Sequence, residues 1–211
     1  MRPLFTTQTR RERTLCSARF LASALILIGF FGPWVAHRTA ALTVTGYELS
    51  EFAKFFPQVQ GGVVPVRRAL FITPVFAATI SLALIGHRAK GRPLLRFGGT
   101  VLAALVGLAV LPPYQSLLEP AYRLQLILVA IGLLLTLSTP LTSRFSEGVR
   151  SMLFLLVALI GVIPALWQYV LLHPLIGGLY EARILPGWGI IVCMVGFLLL
   201  SLASLRDSLA S

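Results

Sequence analysis

Three histidines, two cysteines and seven carboxylates are the side chains here that could handle protons, metals or covalent intermediates. His37 and His173 fall at the ends of long apolar runs, on one side of the membrane in the topology derived below. A pair of axial ligands to a haem iron is geometrically conceivable there. Such a pair belongs within helices that face a shared pocket, whereas these two lie at or beyond helix ends, beside Arg38 and Pro174, and His87 lies on the opposite side. No haem and no other cofactor is expected. Cys16 precedes the first apolar run and Cys193 lies inside the last, so the two cannot meet in a disulfide and read as small packing residues. The chain has no H-E-x-x-H, no phosphate-binding glycine loop, no dinucleotide fingerprint and no Ser-His-Asp set at a common depth. No Asp, Glu, Lys or Arg falls in the middle of an apolar run, where proton relays, ion-coupled carriers and intramembrane hydrolases need ionisable groups. The expectation is a protein with no catalytic residues and no metal ligands.

The elements that would position any site are membrane helices. With 57% hydrophobic residues, 12% charged residues and a mean hydropathy of +0.87, the chain is too apolar for a soluble domain, where about 25% of residues are charged. Six runs approach the roughly 20 residues that a spanning helix needs: 16–35, 66–86, 94–111, 122–140, 151–172 and 187–205. The fold class expected is therefore all-α, a single transmembrane domain over 1–211 with six spans. Arg10 and Arg11 before the first run resemble a twin-arginine export signal. The run from Leu21 to Val35 is nevertheless long for one, and five more follow, so it reads as a span.

Basic residues set the orientation, because Lys and Arg are retained in the cytoplasm during insertion. With the N-terminus inside, twelve basic residues fall on the cytoplasmic side, Arg19 and the cluster Arg88, Lys90, Arg92 and Arg96 among them, and six fall outside. Both termini are expected in the cytoplasm of a bacterium, with the chain in the inner membrane. The net charge of +11 is then explained by topology and by contact with the lipid bilayer's anionic headgroups, and no nucleic acid is expected as a partner.

The segment 36–65 is the longest stretch outside the runs. Thr45-Gly46-Tyr47-Glu48 carries the pattern of a capping box. Behind it Leu49, Phe52, Ala53, Phe56 and Val59 fall on one side at helical spacing, with Glu51, Lys54 and Gln58 on the other. The spacing predicts an amphipathic helix over 47–56, ended by Pro57, that covers the bundle or lies at its outer interface. Small residues recur every four positions at Ala69, Thr73, Ala77 and Ser81, and at Gly99, Ala103 and Gly107, stripes that let helices pack closely within the chain or against a partner. Leu49, Phe52, Phe56, Gly99, Ala103 and Gly107 are thus the candidate packing or partner-contact residues. Gln125 and Gln168 are the deep polar side chains that could reach a cavity between helices. Trp34, Tyr122, Trp167, Tyr169 and Trp188 sit where an interfacial aromatic belt is expected, and Pro74 and Pro164 predict kinks.

Pro33-Trp34, Ala40-Ala41-Leu42-Thr43, Gly46-Tyr47-Glu48-Leu49 and Glu51-Phe52 together resemble the first outer loop of small, mostly uncharacterised bacterial polytopic membrane proteins. The resemblance covers about 20 residues and implies a bacterial inner-membrane location without carrying over a site. The function expected is an accessory or structural subunit docked to other membrane-protein subunits. A transport component for a neutral or lipid-like substrate, or an electron-transfer subunit, is the alternative.

Overall fold

Uninterrupted apolar runs form helices in this protein because a chain buried in hydrocarbon must satisfy its own backbone. The computed structural model describes residues 4–36, 43–87, 93–117, 119–181 and 184–209, with only the backbone described for 4–13, 87 and 93–96. His37, Arg38, Ala40 to Leu42, Arg88, Lys90, Arg92 and Arg183 lie outside the described residues, as do the side chains of His87 and Arg96. The chain runs α1 (Leu4–Phe31), β1 (Pro33–Ala36), β2 (Thr43–Thr45), α2 (Gly46–Phe52), α3 (Pro57–Gln60), α4 (Thr73–His87), α5 (Pro93–Leu108), α6 (Arg123–Ser138), α7 (Glu147–Leu179), β3 (Leu185–Pro186) and α8 (Trp188–Ser208). Short 3₁₀ turns extend α4 at its start, from Arg68, and α6 at its end, to Arg144.

Five of these segments are long and apolar enough to cross a membrane among the described residues: Thr14–Phe31, Arg68–Gly86, Pro120–Arg144, Glu147–Leu179 and Trp188–Ser208. The chain is that of a helical membrane protein. α5, expected as the third span, has 16 residues; at 1.5 Å per residue it reaches about 24 Å, short of the roughly 30 Å hydrocarbon core.

α4 is the hub. Within its apolar window 78% of residues are buried, against 28% for α6 and for α7, and it touches α1, α5, α6 and α7. α1 lies along α8, and glycine makes that approach possible. A Cβ on Gly29 would stand 2.3 Å from the Cys193 backbone nitrogen, and one on Gly196 would stand 2.8 Å from the Ile26 nitrogen.

Paired residues order the two ends of the bundle. At one end Tyr122, before α6, meets Lys54 and Arg68, before α4, so α4 and α6 start together. α5 makes the return journey: Gly99 in its first half faces Gly86 at the end of α4, while the Gln125 amide at the start of α6 donates to the Val110 carbonyl just past α5, at 2.9 Å. At the opposite end Arg19, Ser151 and Asp207 bring together the middle of α1, the start of α7 and the end of α8.

Three local expectations are corrected. Trp34 and Val35 belong to β1 instead of the first helix, because Pro33 has no N–H to continue it. β1 is the centre of a three-stranded antiparallel sheet in the order β2-β1-β3, pairing Val35 with Val44 and Ala36 with Leu185. The helix predicted over 47–56 is interrupted: after Phe52 it tightens to a 3₁₀ turn over Ala53–Phe55, and Phe56 is extended (φ −88°, ψ 117°), as befits a residue before proline. Finally, α7 does not end at Leu172. It continues through His173 and Pro174 to Leu179.

Candidate functional site

The capping box forms as its residues dictate. The Glu48 amide donates to the Thr45 hydroxyl at 3.2 Å, and the Thr45 amide donates to the Glu48 carboxylate at 2.8 Å. This start aims one side of α2 at the bundle. Leu49 and Ala53 are fully buried, Phe56 is buried, and Phe52 and Val59 pack against the same core, with Phe52 edge-on to Phe56 at 5.5 Å between centroids. Sheet, α2 and the following turns thus form a cap over one end of the helices.

An aromatic ladder fastens the cap from beneath. The Trp34 indole N–H donates to the Gly29 carbonyl at 3.0 Å, and the Tyr169 hydroxyl donates to the Trp34 carbonyl at 3.3 Å. Trp34 is flanked edge-on by Phe30 and by Tyr169, and His173 follows at 5.4 Å from Tyr169. His173 Nε2 pairs with the Ile184 carbonyl at 3.1 Å, so this imidazole ties α7 to the strand segment beyond it. Trp34, Tyr169 and Tyr122 were expected as interfacial anchors. All three are buried, because their polar tips find partners inside the protein, whereas Trp167 and Trp188 are exposed.

Charge gathers beside Tyr122. Its hydroxyl donates to Glu51 at 3.0 Å, and Lys54 contacts both Glu51 and the Tyr122 hydroxyl. The Lys54 ammonium lies 4.4 Å from the Tyr122 ring centroid and the Arg68 guanidinium 5.1 Å, two cations against one aromatic ring. Arg68 also donates to the Ala121 carbonyl at 2.9 Å and stands 3.9 Å from Glu51. Burial pulls the Lys54 ammonium down, but its hydrogen bonds to Glu51 and Tyr122, with the Glu51 charge, outweigh that and hold it above the usual lysine value. Burial, helped by Glu51, also pushes the Tyr47 phenol up.

A cavity of about 600 Å³ opens beside this cluster. Lys54, Arg67, Arg68 and Glu119 supply its charges, Tyr122 and Gln60 add polar groups, and Val59, Val66 and Leu124 are apolar. A void lined by Trp34, Pro74, Phe197 and their neighbours is too tight for a water molecule. Of the residues singled out from sequence, Gln125 and Gln168 line neither. Gln125 holds the Val110 carbonyl, and the Gln168 side-chain oxygen accepts the Arg67 amide at 2.7 Å, so both amides serve the backbone. Ala103 and Gly107 are buried toward α4 and α6, Gly107 facing Leu133. Both the apolar face of α2 and the α5 stripe therefore pack within the chain.

The opposite end holds a site that the sequence reading missed. Arg19, counted from sequence among the cytoplasmic basic residues, is fully buried and pairs with Asp207 at 2.8 Å. Ser151 donates to Asp207 at 2.7 Å and accepts from Arg19 at 3.3 Å, while the Phe154 ring lies 4.3 Å from the guanidinium. The signal was periodicity. Leu15, Arg19, Ala22, Ser23, Ile26 and Phe30 occupy one helical face, and it is the buried one. Thr73 likewise spends its hydroxyl on the Gly161 carbonyl at 2.8 Å, three residues before Pro164. Among the described residues no group of three or more His, Cys, Asp or Glu could hold a metal.

Fold and sites together define a helical membrane protein with one capped end and a charged cleft in the cap. Comparison with protein-family models, with curated proteins and with solved structures gave no match.

Proposed function

We propose that the protein is a non-catalytic accessory subunit of a larger assembly in the bacterial inner membrane, and that it docks through its capped face. The reading takes α5 as a sixth crossing, since the chain must return between the like-ended starts of α4 and α6. Six crossings put both termini on one side, where the excess of basic residues indicates the cytoplasm. The capped face is then external.

The observation that carries the docking surface is exposure on the cap itself. Phe55, Val63 and Tyr114 lie outside the long helices, yet each is more than 70% exposed. Large apolar side chains exposed on the connections between long helices suit a contact surface. The contacts expected from Leu49, Phe56, Ala103 and Gly107 are spent internally, which shifts the docking role to these loop residues. Among the described residues, the side chains that would carry the transport and electron-transfer alternatives are otherwise engaged: Gln125 and Gln168 by backbone, and His173 by the Ile184 carbonyl.

A photo-crosslinker placed at Phe55 or Val63 in living cells tests the proposal. A reproducible protein adduct from these positions, absent from a crosslinker at Leu209, is the expected result. A chain that crosslinks to nothing from either end, and runs alone in mild detergent, overturns it.

A further inference from the structure

The cleft beside Tyr122 is built to hold an anion. Three cations line it, Lys54, Arg67 and Arg68, against one lining carboxylate, Glu119. Glu51 stands behind Lys54 and Arg68 and offsets part of their charge, which leaves the cavity net positive. Arg68 is preorganised: the Tyr122 ring supports its guanidinium and the Ala121 carbonyl holds one Nη. Its other Nη is buried and faces the Glu51 carboxylate at 3.9 Å, beyond hydrogen-bond range, so Glu51 holds the guanidinium from the side. Arg67 is anchored by its backbone amide on Gln168 while its side chain stays exposed at the cavity wall. Planar guanidinium groups suit oxyanions that can accept two hydrogen bonds.

Position and lining narrow the ligand. The cleft lies where the turn before α4 meets the turn before α6, at the end of the membrane-length helices, and Val59, Val66 and Leu124 give it an apolar wall. We infer that the cleft binds a phosphate group carried on an amphiphile, with the phosphate against Arg67, Arg68 and Lys54 and the apolar part along Val59, Val66 and Leu124. The inference deepens the docking proposal, since it places a ligand on the same capped face, but the two fail separately.

The test uses the full chain in detergent, with native mass spectrometry to count bound phosphatidylglycerol or diacylglycerol, which has the same acyl chains and no phosphate. Wild type should retain the anionic lipid in preference to the neutral one. Arg67→Gln should lower that retention about tenfold, the equivalent of one charge-assisted hydrogen bond. Arg68→Gln should do the same. Because Arg68 also holds Ala121, Arg67→Gln decides the matter if Arg68→Gln fails to fold. Arg150→Gln, which removes the same charge from the residue paired with Glu147, should leave retention unchanged. Displacement of the lipid by millimolar inorganic phosphate would support the same site with the free ion as its source. Equal retention of both lipids by wild type, or equal losses in Arg67→Gln and Arg150→Gln, would overturn the inference. Neither outcome bears on crosslinks from Phe55 or Val63.

Discussion

The two ends of the bundle handle charge in opposite ways. At the capped end Glu51, Lys54, Arg68 and Tyr122 share their contacts, and Lys54 and Glu51 keep about a third of their side-chain surface in solvent. At the far end the Arg19 guanidinium is fully buried against a carboxylate that is 16% exposed, with Ser151 and Phe154 beside it. An exposed network loses little when one member goes, because water replaces the partner. A buried charge has no such recourse. The cap is therefore the tolerant end, free to carry a variable surface, and the Arg19–Asp207 end is the rigid one, where α1, α7 and α8 converge.

The largest effect should follow from breaking that rigid end. Asp207→Ala leaves the buried Arg19 guanidinium without its carboxylate and should cost about 3 kcal/mol, read as a lower unfolding midpoint in a denaturing-detergent titration. Arg19→Met combined with Asp207→Ala removes the charge together with its partner and should recover most of the loss. A single-variant cost below about 1 kcal/mol, the range of exposed pairs, would erase the distinction between the ends.

That contrast explains which features could be read from sequence. The five long helices follow from apolar runs of sufficient length, and the capping box at Thr45 and Glu48 follows from residue type and spacing alone. Arg19 was misjudged because an arginine near the start of a span ordinarily reaches out to the interface. What overrides this is a partner 188 positions away, and tertiary pairing at that separation leaves no local mark beyond the position of Arg19 on the buried face. Asp207 likewise continues the stripe of Cys193, Gly196, Leu200, Ala203 and Ser204, a pattern that becomes informative once α1 is placed beside it. The strands have 4, 3 and 2 residues, too few for period-2 alternation to register. The cleft was illegible for another reason: Lys54, Arg67 and Tyr122 come from separate turns, and only the common origin of α4 and α6 joins them.

A smaller effect is expected at the cap. Thr45→Ala removes the acceptor of the Glu48 amide and one half of the capping box, a loss of about 1 kcal/mol. It should appear locally, as faster hydrogen exchange of the amides in Gly46–Phe52, with Leu49 and Phe56 still seated and little change in the unfolding midpoint. A midpoint shift as large as that of Asp207→Ala would show instead that the cap is as brittle as the far end.

The smallest effect at neutral pH should come from Lys54→Met, within about 1 kcal/mol because the ammonium is partly exposed, yet pH makes it visible. Lys54 and Tyr47 both titrate above their ordinary values in the folded protein. A group whose value is raised on folding contributes its full stabilisation below its unfolded value, about 10.4 for lysine and 10 for tyrosine, and loses it as the pH rises through the folded one. The wild-type cap should accordingly loosen only in alkali, above roughly pH 10, which the reactivity of a cysteine substituted at Leu49 would report. Lys54→Met should lose the lysine part of that response and keep the part due to Tyr47. A wild-type cap whose Leu49 position stays equally protected from neutral pH through that alkaline range, or a variant with an unchanged profile, would mean that the Glu51–Lys54–Tyr122 contacts do not hold the cap at all.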